Sequence, residues 1–262
     1  MDLQLHGKTA LVSGSTAGIG KAIAASLAQE GAHVIINGRK QAAVDAVVAE
    51  LSASGSKVEG FAGDLGSAQA AQDLIARFPQ VDILVNNLGI FEPKAFEEIP
   101  DEDWQRFFDV NVLSGARLSR LYLPGMKAKN WGRIIFISSE SGIQIPAEMV
   151  HYGMTKAAQI AVARGIAEGV AGTGITVNSV LPGPTKSRGV VDFVESLAQG
   201  DGKSFDQVER EFFDHVRPTS LIKRFATPEE VAAMVTYVAS PLAAATNGAA
   251  LRVDGGVVKS AY

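Results

Sequence analysis

The feature that most restricts this chain is an alternation, sustained from residue 9 onward, of short apolar runs with longer Ala-rich amphipathic ones. Thr9–Val12 has the length and composition of a buried strand. KAIAASLAQE after it has helical periodicity closed by Gly31. His33–Ile36 repeats the strand pattern, and a helix is predicted from about Gln41 to Leu51. Val58–Ala62 follows, then Ser67 in N-cap position before AQAAQDLIARF, then a fourth strand over Val81–Val85. Strands separated by helices pair in parallel through right-handed crossovers, so the pattern predicts an α/β fold built on one parallel sheet. Ligands of such sheets collect beyond the carboxyl ends of the strands.

The polar residues of the chain fall at those ends. Gly14, Gly18 and Gly20 lie between the first strand and the first helix. Glycine there lets the backbone approach a ligand, and the helix N-terminus offers N–H groups to phosphate. A tight strand-to-helix turn satisfies the same spacing, but three glycines at the junction favour nucleotide binding. The second strand ends in Asn37-Gly38-Arg39-Lys40, with two cations and no acid to take ribose hydroxyls. Taken alone, that tetrapeptide is equally a solvated turn. Asp64-Leu65 follows the third strand and Asn86-Asn87-Leu88-Gly89 the fourth. Asp101 is expected to cap the helix DEDWQRFFDVNVLSGARL, which carries Asn111 inside an apolar stretch.

The segment R-I-I-F-I-S-S reads as a buried strand that delivers Ser138 and Ser139 in opposite directions. Tyr152 and Lys156 lie one turn apart on the next helix, which is predicted to run to about Val170. An ammonium near a phenol favours the phenolate and lowers the tyrosine pKa, as proton exchange near neutral pH requires. Solvated surface pairs share this spacing; the hydroxyl-bearing strand upstream favours the catalytic reading. Ile175–Leu181 is a sixth strand, ending in Pro182-Gly183-Pro184-Thr185. Residues 186–226 then break the alternation. RGVVDFVESLAQ reads as a short helix, and the capping box Ser204–Gln207 opens another with Phe205, Val208, Phe212 and Val216 on one side. This insertion is expected to form a lid, with Gly189, Gly200 and Gly202 as hinges. A second capping box, Thr227–Glu230, starts PEEVAAMVTYVAS, and Ala249–Val253 is the last strand, followed by Asp254-Gly255-Gly256.

These motifs together resemble the short-chain dehydrogenase/reductase family over essentially the whole chain, its 3-oxoacyl-[acyl-carrier-protein] reductase-like members in particular. Gly14-x-x-x-Gly18-x-Gly20 matches the cofactor loop, Asp64 the adenine-binding Asp, and Asn86-Asn87-Leu88-Gly89 the Asn-Asn-Ala-Gly motif. Pro182-Gly183 and Val253-Asp254-Gly255-Gly256 match later landmarks. The resemblance implies a Rossmann-type, doubly wound, seven-stranded parallel sheet with helices on both faces. It implies catalysis by Asn111, Ser139, Tyr152 and Lys156. Tyr152 would exchange the proton on the substrate oxygen, and Ser139 would bind that oxygen. Lys156 would tune the tyrosine and hold the nicotinamide ribose, and Asn111 would hold a water linking Lys156 to solvent. Cofactor contacts are implied for Gly14, Ser15, Thr16, Gly18, Ile19, Gly20, Arg39, Asp64, Leu65, Asn87, Gly89, Tyr152, Lys156, Pro182, Gly183 and Thr185. Three departures stand out: Leu88 for a small Ala, Ser13 for Thr, and Thr185 placed closer behind Pro-Gly.

Arg39, with Lys40 beside it and no acid at Gly38, favours NADP(H); NAD(H) remains possible. The substrate is expected to meet Ile90, Ser141, Gln144, Ile145, Met149, Pro184, Val190, Val191 and Phe193. That mostly apolar mixture suits a 3-oxoacyl thioester, a cyclic ketone or an aromatic carbonyl compound. A sugar-acid (gluconate-type) dehydrogenase is the alternative, and a nucleotide-binding regulatory protein without turnover an alternative of another class. Glu140 and His151 are further titratable groups nearby, but the tetrad already accounts for the proton.

Composition excludes other classes. The 262 residues, 47% of them hydrophobic, suit a single domain with a large core. No apolar run approaches the ~18 to 20 residues of a membrane span, and the N-terminus has no signal-peptide pattern. With no cysteine there is no disulfide framework or thiolate site, and no metal centre is expected. A net charge of -4 without a basic cluster speaks against nucleic acid. A cytoplasmic homotetramer is expected, its packing aided by the small residues Ala157, Ala161, Gly165 and Gly169 and by the apolar C-terminal tail.

Overall fold

A computed structural model describes residues 1–186 and 204–261. Its strands are β1 (Thr9–Val12), β2 (His33–Gly38), β3 (Val58–Ala62), β4 (Ile83–Asn86), β5 (Gly132–Ile137), β6 (Ile175–Pro182) and β7 (Ala250–Val253). Its helices are α1 (Gly18–Gln29), α2 (Gln41–Ser52), α3 (Ala68–Arg77), α4 (Asp101–Phe108), α5 (Ser114–Lys129), α6 (Val150–Glu168), α7 (Phe205–Glu211) and α8 (Pro228–Ala239). The strands form one parallel sheet in the order β3-β2-β1-β4-β5-β6-β7, the doubly wound Rossmann-type arrangement.

The central strands are buried on both faces, and their apolar residues point alternately to the two sides. Ala10 and Val12 of β1, with Val34 and Ile36 of β2, pack against α1, α2 and α8. Leu11, Ile35, Leu84 and Phe136 point the other way, into a layer that includes α3, α5 and α6. The strand order reverses between β1 and β4, and there the carboxyl ends open a crevice.

Local signals mostly act as the sequence suggests. The Ser67 hydroxyl accepts from the Ala70 N–H at 3.2 Å, and both capping boxes, Ser204 with Gln207 and Thr227 with Glu230, are formed. Asp101 differs: Pro100 is the N-cap, and Asp101 is the first helical residue. Asp101, Glu102 and Asp103 there oppose the positive end of the helix dipole without capping it. The helix expected to run unbroken past Asn111 is interrupted by a π-helical turn, Asp109–Leu113, between α4 and α5. The predicted helix RGVVDFVESLAQ, the hinge glycines 189, 200 and 202, and the substrate candidates Val190, Val191 and Phe193 lie outside the described residues. Beyond them, Val208, Phe213 and Phe225 form a small apolar cluster with Phe205 and Phe212 packed on it.

Candidate active site

The loop after β1 is held from beneath. Gly14 and Gly18 have φ of 61° and 53°, the left-handed region that glycine enters without strain. The Gly14 N–H donates to Asn37 Oδ1 at 3.1 Å, and Asn37 Nδ2 donates to the carbonyls of Phe61 and Gly63 at 3.2 and 3.1 Å. Asn37 thus ties the loop to β3, a role announced in the sequence by a polar residue at the end of the apolar run of β2. Ser15 Oγ accepts from the Asn37 N–H and donates to the Val12 carbonyl, so its side chain is spent inside the loop. Asn87 Nδ2 donates to the carbonyls of Ser13 and Gly14 at 2.9 and 3.0 Å. Ser13 Oγ accepts from the N–H groups of Asn87 and Leu88, each at 3.0 Å. The hydroxyl is what matters at position 13, and serine supplies it.

This loop fits a dinucleotide. A Cβ at Gly20 would stand 2.4 Å from Asn87 Nδ2 and 2.5 Å from the Gly14 carbonyl, so only glycine lets helix and loop close up. No side chain caps α1, which leaves its first N–H groups to phosphate oxygens. Arg39 is exposed beside the loop. The space next to Gly38 is filled: a Cβ there would lie 2.5 Å from the Thr16 methyl. Asp64 is exposed, its Oδ1 accepting from the Gly66 N–H at 3.0 Å. The Leu65 side chain belongs to the core, so its backbone alone can face a cofactor.

Asn111, Ser139, Tyr152 and Lys156 come from three elements. Ser139 caps a 3-10 turn, Glu140–Gly142, its Oγ accepting from the Ser141 N–H at 3.1 Å. Ser138 points the other way and donates to the Lys156 carbonyl at 2.7 Å, pinning α6 to the end of β5. Lys156 Nζ lies 5.5 Å from the Tyr152 ring centre and donates to the Ile137 carbonyl at 3.0 Å. It also donates to Gln159 Oε1 at 3.2 Å, and Gln159 Nε2 in turn donates to the Asn111 carbonyl at 2.6 Å. The Asn111 side chain is used locally: Oδ1 accepts from the Ile90 N–H, and Nδ2 donates to the Ile90 carbonyl and to Thr155 Oγ1. Gln159 therefore links the Asn111 backbone to the Lys156 amine.

Burial dominates the electrostatics. It pushes the Tyr152 phenol up to about 12; a hydrogen bond with Ser139 opposes it, the Glu140 charge adds to it, and Arg217 opposes it. Burial likewise pushes Lys156 down to about 7. The expected lowering of the tyrosine by an ammonium is thus not the balance found here, because burial outweighs the Ser139 hydrogen bond and the Arg217 charge. Glu140 is raised by burial, against the opposing pull of Arg217 and Ser141.

Tyr152 and Lys156 line a cleft of about 730 Å³, which also takes in Ile19, Asn87, Gly89, Ile90, Ser139, Ser141 and Met149, with Pro182, Gly183 and Thr185 at one end. Gln144 is exposed and lies outside this lining. One wall is apolar, with Phe91, Val208, Phe212 and Val216, and Phe91 meets the Tyr152 ring edge-on at 6.3 Å. The same cleft has a polar corner, where Arg217 reaches Glu140 at 3.3 Å and Glu148 at 3.1 Å, with His215 also in the lining. Arg217 and His215 were not among the residues read from sequence, and Phe212 was read only as part of the apolar face of the helix opened by Ser204. Among the described residues no cluster could hold a metal, and no helix is long and apolar enough to cross a membrane.

The family described as short chain dehydrogenase matches residues 8–197. An uncharacterized oxidoreductase of Bacillus subtilis, YvaG, is 50% identical over 264 residues, covering 100% of both chains. L-sorbose reductase from Gluconobacter frateurii, solved with NADPH and L-sorbose, superposes with a TM-score of 0.94 at 31% identity, covering 99% of this chain and 100% of that one. A 3-oxoacyl-(acyl-carrier-protein) reductase from Agrobacterium tumefaciens, solved with NADP, gives 0.88 at 32% identity, covering 97% and 96%. A matching fold, cofactor loop and side-chain set leave one assignment: the chain is an oxidoreductase that belongs to the short-chain dehydrogenase family.

Proposed function

We propose that this protein interconverts a ketone and a secondary alcohol with NADP(H). The observation that carries the reading is the convergence of the Tyr152 phenol, the Ser139 hydroxyl and the Lys156 amine on the wall of one cleft. The nicotinamide, when bound, supplies or accepts the hydride. Tyr152 gives or takes the proton on the substrate oxygen, and Ser139 donates a hydrogen bond to that oxygen, stabilising charge that develops there. Lys156 holds the ribose side of the cofactor, and Asn111 fixes the Ile90 loop and, through Gln159, the lysine. The exposed Arg39, with Thr16 filling the place of an acid at 38, supports NADP(H) over NAD(H), and similar enzymes are solved with NADPH and NADP.

The apolar wall supports a largely apolar ketone or 3-oxoacyl thioester as substrate. The polar corner of Glu140, Glu148 and Arg217 favours a second reading, a hydroxylated, sugar-like ketone, the kind of compound bound in the L-sorbose reductase structure. A regulatory protein without turnover would have no use for the buried tyrosine–serine–lysine set. A cytoplasmic homotetramer completes the proposal, supported by small residues along α6 and by the exposed Leu221 and Ile222 against Gly255 and Gly256. Light scattering tests the assembly. A panel of ketones followed by nicotinamide absorbance tests the reaction, and binding of NADPH without turnover of any ketone would refute it.

A further inference from the structure

Arg217 ends the π-helical turn Phe212–Val216, and it lines the cleft together with Phe212, Val216, Ser139 and Tyr152. Its guanidinium is held from two sides. Nε donates at 3.3 Å to Oε1 of Glu140, the residue directly after Ser139. Nη1 donates at 3.1 Å to Oε1 of Glu148, on the turn that leads into the helix of Tyr152, and at 3.0 Å to the Val216 carbonyl. Nη2 donates to nothing among the described residues, yet it is not one of the polar atoms sealed inside the fold. The side chain keeps 12% of its surface open, so two N–H bonds remain for an occupant of the cleft it lines.

Resting on the ketone–alcohol reading above, we infer that Arg217 is a specificity-determining residue whose Nη2 donates to a second, uncharged oxygen of the substrate. A guanidinium has only donors, so the group it recognises is an acceptor. The carboxylates of Glu140 and Glu148 offset its charge, so a substrate carboxylate gains little from it and faces two glutamates. A carbonyl oxygen accepts without bringing a charge or a donor of its own. Beyond this corner Phe91, Phe212 and Val216 make the wall apolar. The substrate class is then a ketone with an ester, thioester or amide carbonyl along an otherwise apolar chain. Ser139 and Arg217 line one cleft, so a single chain can present one oxygen to each.

The test pairs ethyl acetoacetate with methyl pentyl ketone, which has the same chain length and lacks the ester. Ethyl levulinate, paired with the methyl ketone of its own length, varies the spacing between the two oxygens. kcat/KM is measured with NADPH, and the readout is the ratio within a pair, which cancels the intrinsic reactivity of each ketone when variants are compared. Losing a hydrogen bond from a charged group should lower the ratio about ten- to a hundredfold in Arg217→Met, for the pair whose spacing fits. The double variant Glu140→Gln/Arg217→Met leaves no buried carboxylate without its partner, should show the same fall, and decides the matter if the single variant fails to bind NADPH. Calorimetry gives a second readout. In a Tyr152→Phe background with NADPH bound, ethyl acetoacetate should bind more tightly than methyl pentyl ketone, and adding Arg217→Met should narrow the gap. Equal losses on both members of every pair would make Arg217 only a tie between the helical wall and the turns beside it. That would overturn the inference and leave the ketone–alcohol reaction standing. A wild-type preference for acetoacetate over its ethyl ester would make the guanidinium a carboxylate partner and overturn the inference too. Turnover of no ketone, with NADPH bound, would overturn both.

Discussion

The Lys156 amine is held at 3.2 Å by the side-chain carbonyl of Gln159, a residue one turn further along the same helix. Because Gln159 also grips the Asn111 carbonyl, the lysine is placed by a protein side chain. The acceptor favours the charged form of a lysine that burial holds near 7. Gln159→Leu should therefore lower that pKa by about one unit, and Gln159→Glu should raise it. Carbon-detected titration of the lysine in the cofactor-free protein reads this directly. The alkaline limb of the kcat/KM profile should move in the same directions. A Leu variant with a lower Tm and an unmoved titration would reduce Gln159 to packing.

Removing the Tyr152 hydroxyl takes away the proposed proton donor and leaves the cofactor cradle intact. Tyr152→Phe should lower turnover by about 10²-fold or more with NADPH affinity near wild type. Near-normal reduction by the Phe variant would mean that the proton comes from elsewhere.

Arg39 is exposed, so its contribution should appear in binding rather than in stability. Arg39→Ala should cost NADPH about ten- to a hundredfold in kcat/KM and NADH little, the size of one charge-assisted contact. A wild-type preference for NADH, or equal weakening of both cofactors, would remove the proposed preference.

His151 precedes Tyr152, is fully buried, and has no hydrogen-bond partner for either ring nitrogen among the described residues. Its ring lies 4.0 Å from that of Phe107 and 6.1 Å from that of Trp104. Burial lowers its pKa; Asp103 and Glu92 oppose this, and Lys94 and Arg106 add to it. The unfolded chain then takes up the proton first as pH falls below 6.5, so stability is complete above that value and declines beneath it. His151→Leu should lose less Tm than wild type between about pH 8 and pH 5.5. Parallel melting curves for the two proteins across that range would show that the imidazole does not titrate with unfolding.

The sheet was legible in the sequence because strands buried on both faces leave continuous apolar runs, as at Thr9–Val12; the half-buried Val58–Ala62 is also found as read, its place given by the alternation of strands and helices. Capping chemistry was legible for the same local reason at Ser67, Ser204 and Thr227. Arg217 was not, since its partner Glu140 is 77 residues away and only the fold brings them together. Gln159 was hidden differently: one polar residue in an Ala-rich helix looks solvated, and its burial depends on the carbonyl that Asn111 turns towards it. The expected tyrosine–lysine electrostatics followed from spacing alone, which carries no information on how deeply both groups are buried.

The π-helical turn at Asp109–Leu113 works like a frameshift in space. Each residue advances a helix by about 100°, so one surplus residue leaves α4 and α5 out of phase with each other. Asn111 sits within this turn, bonded to Ile90 and Thr155. Excising any single residue from the turn would restore the regular spiral. It would also swing Asn111 away from Ile90 and Thr155 or dislodge one of the flanking faces. Among point changes here, loss of a residue should be worse than replacement of one, which makes the length of this segment a specification in its own right.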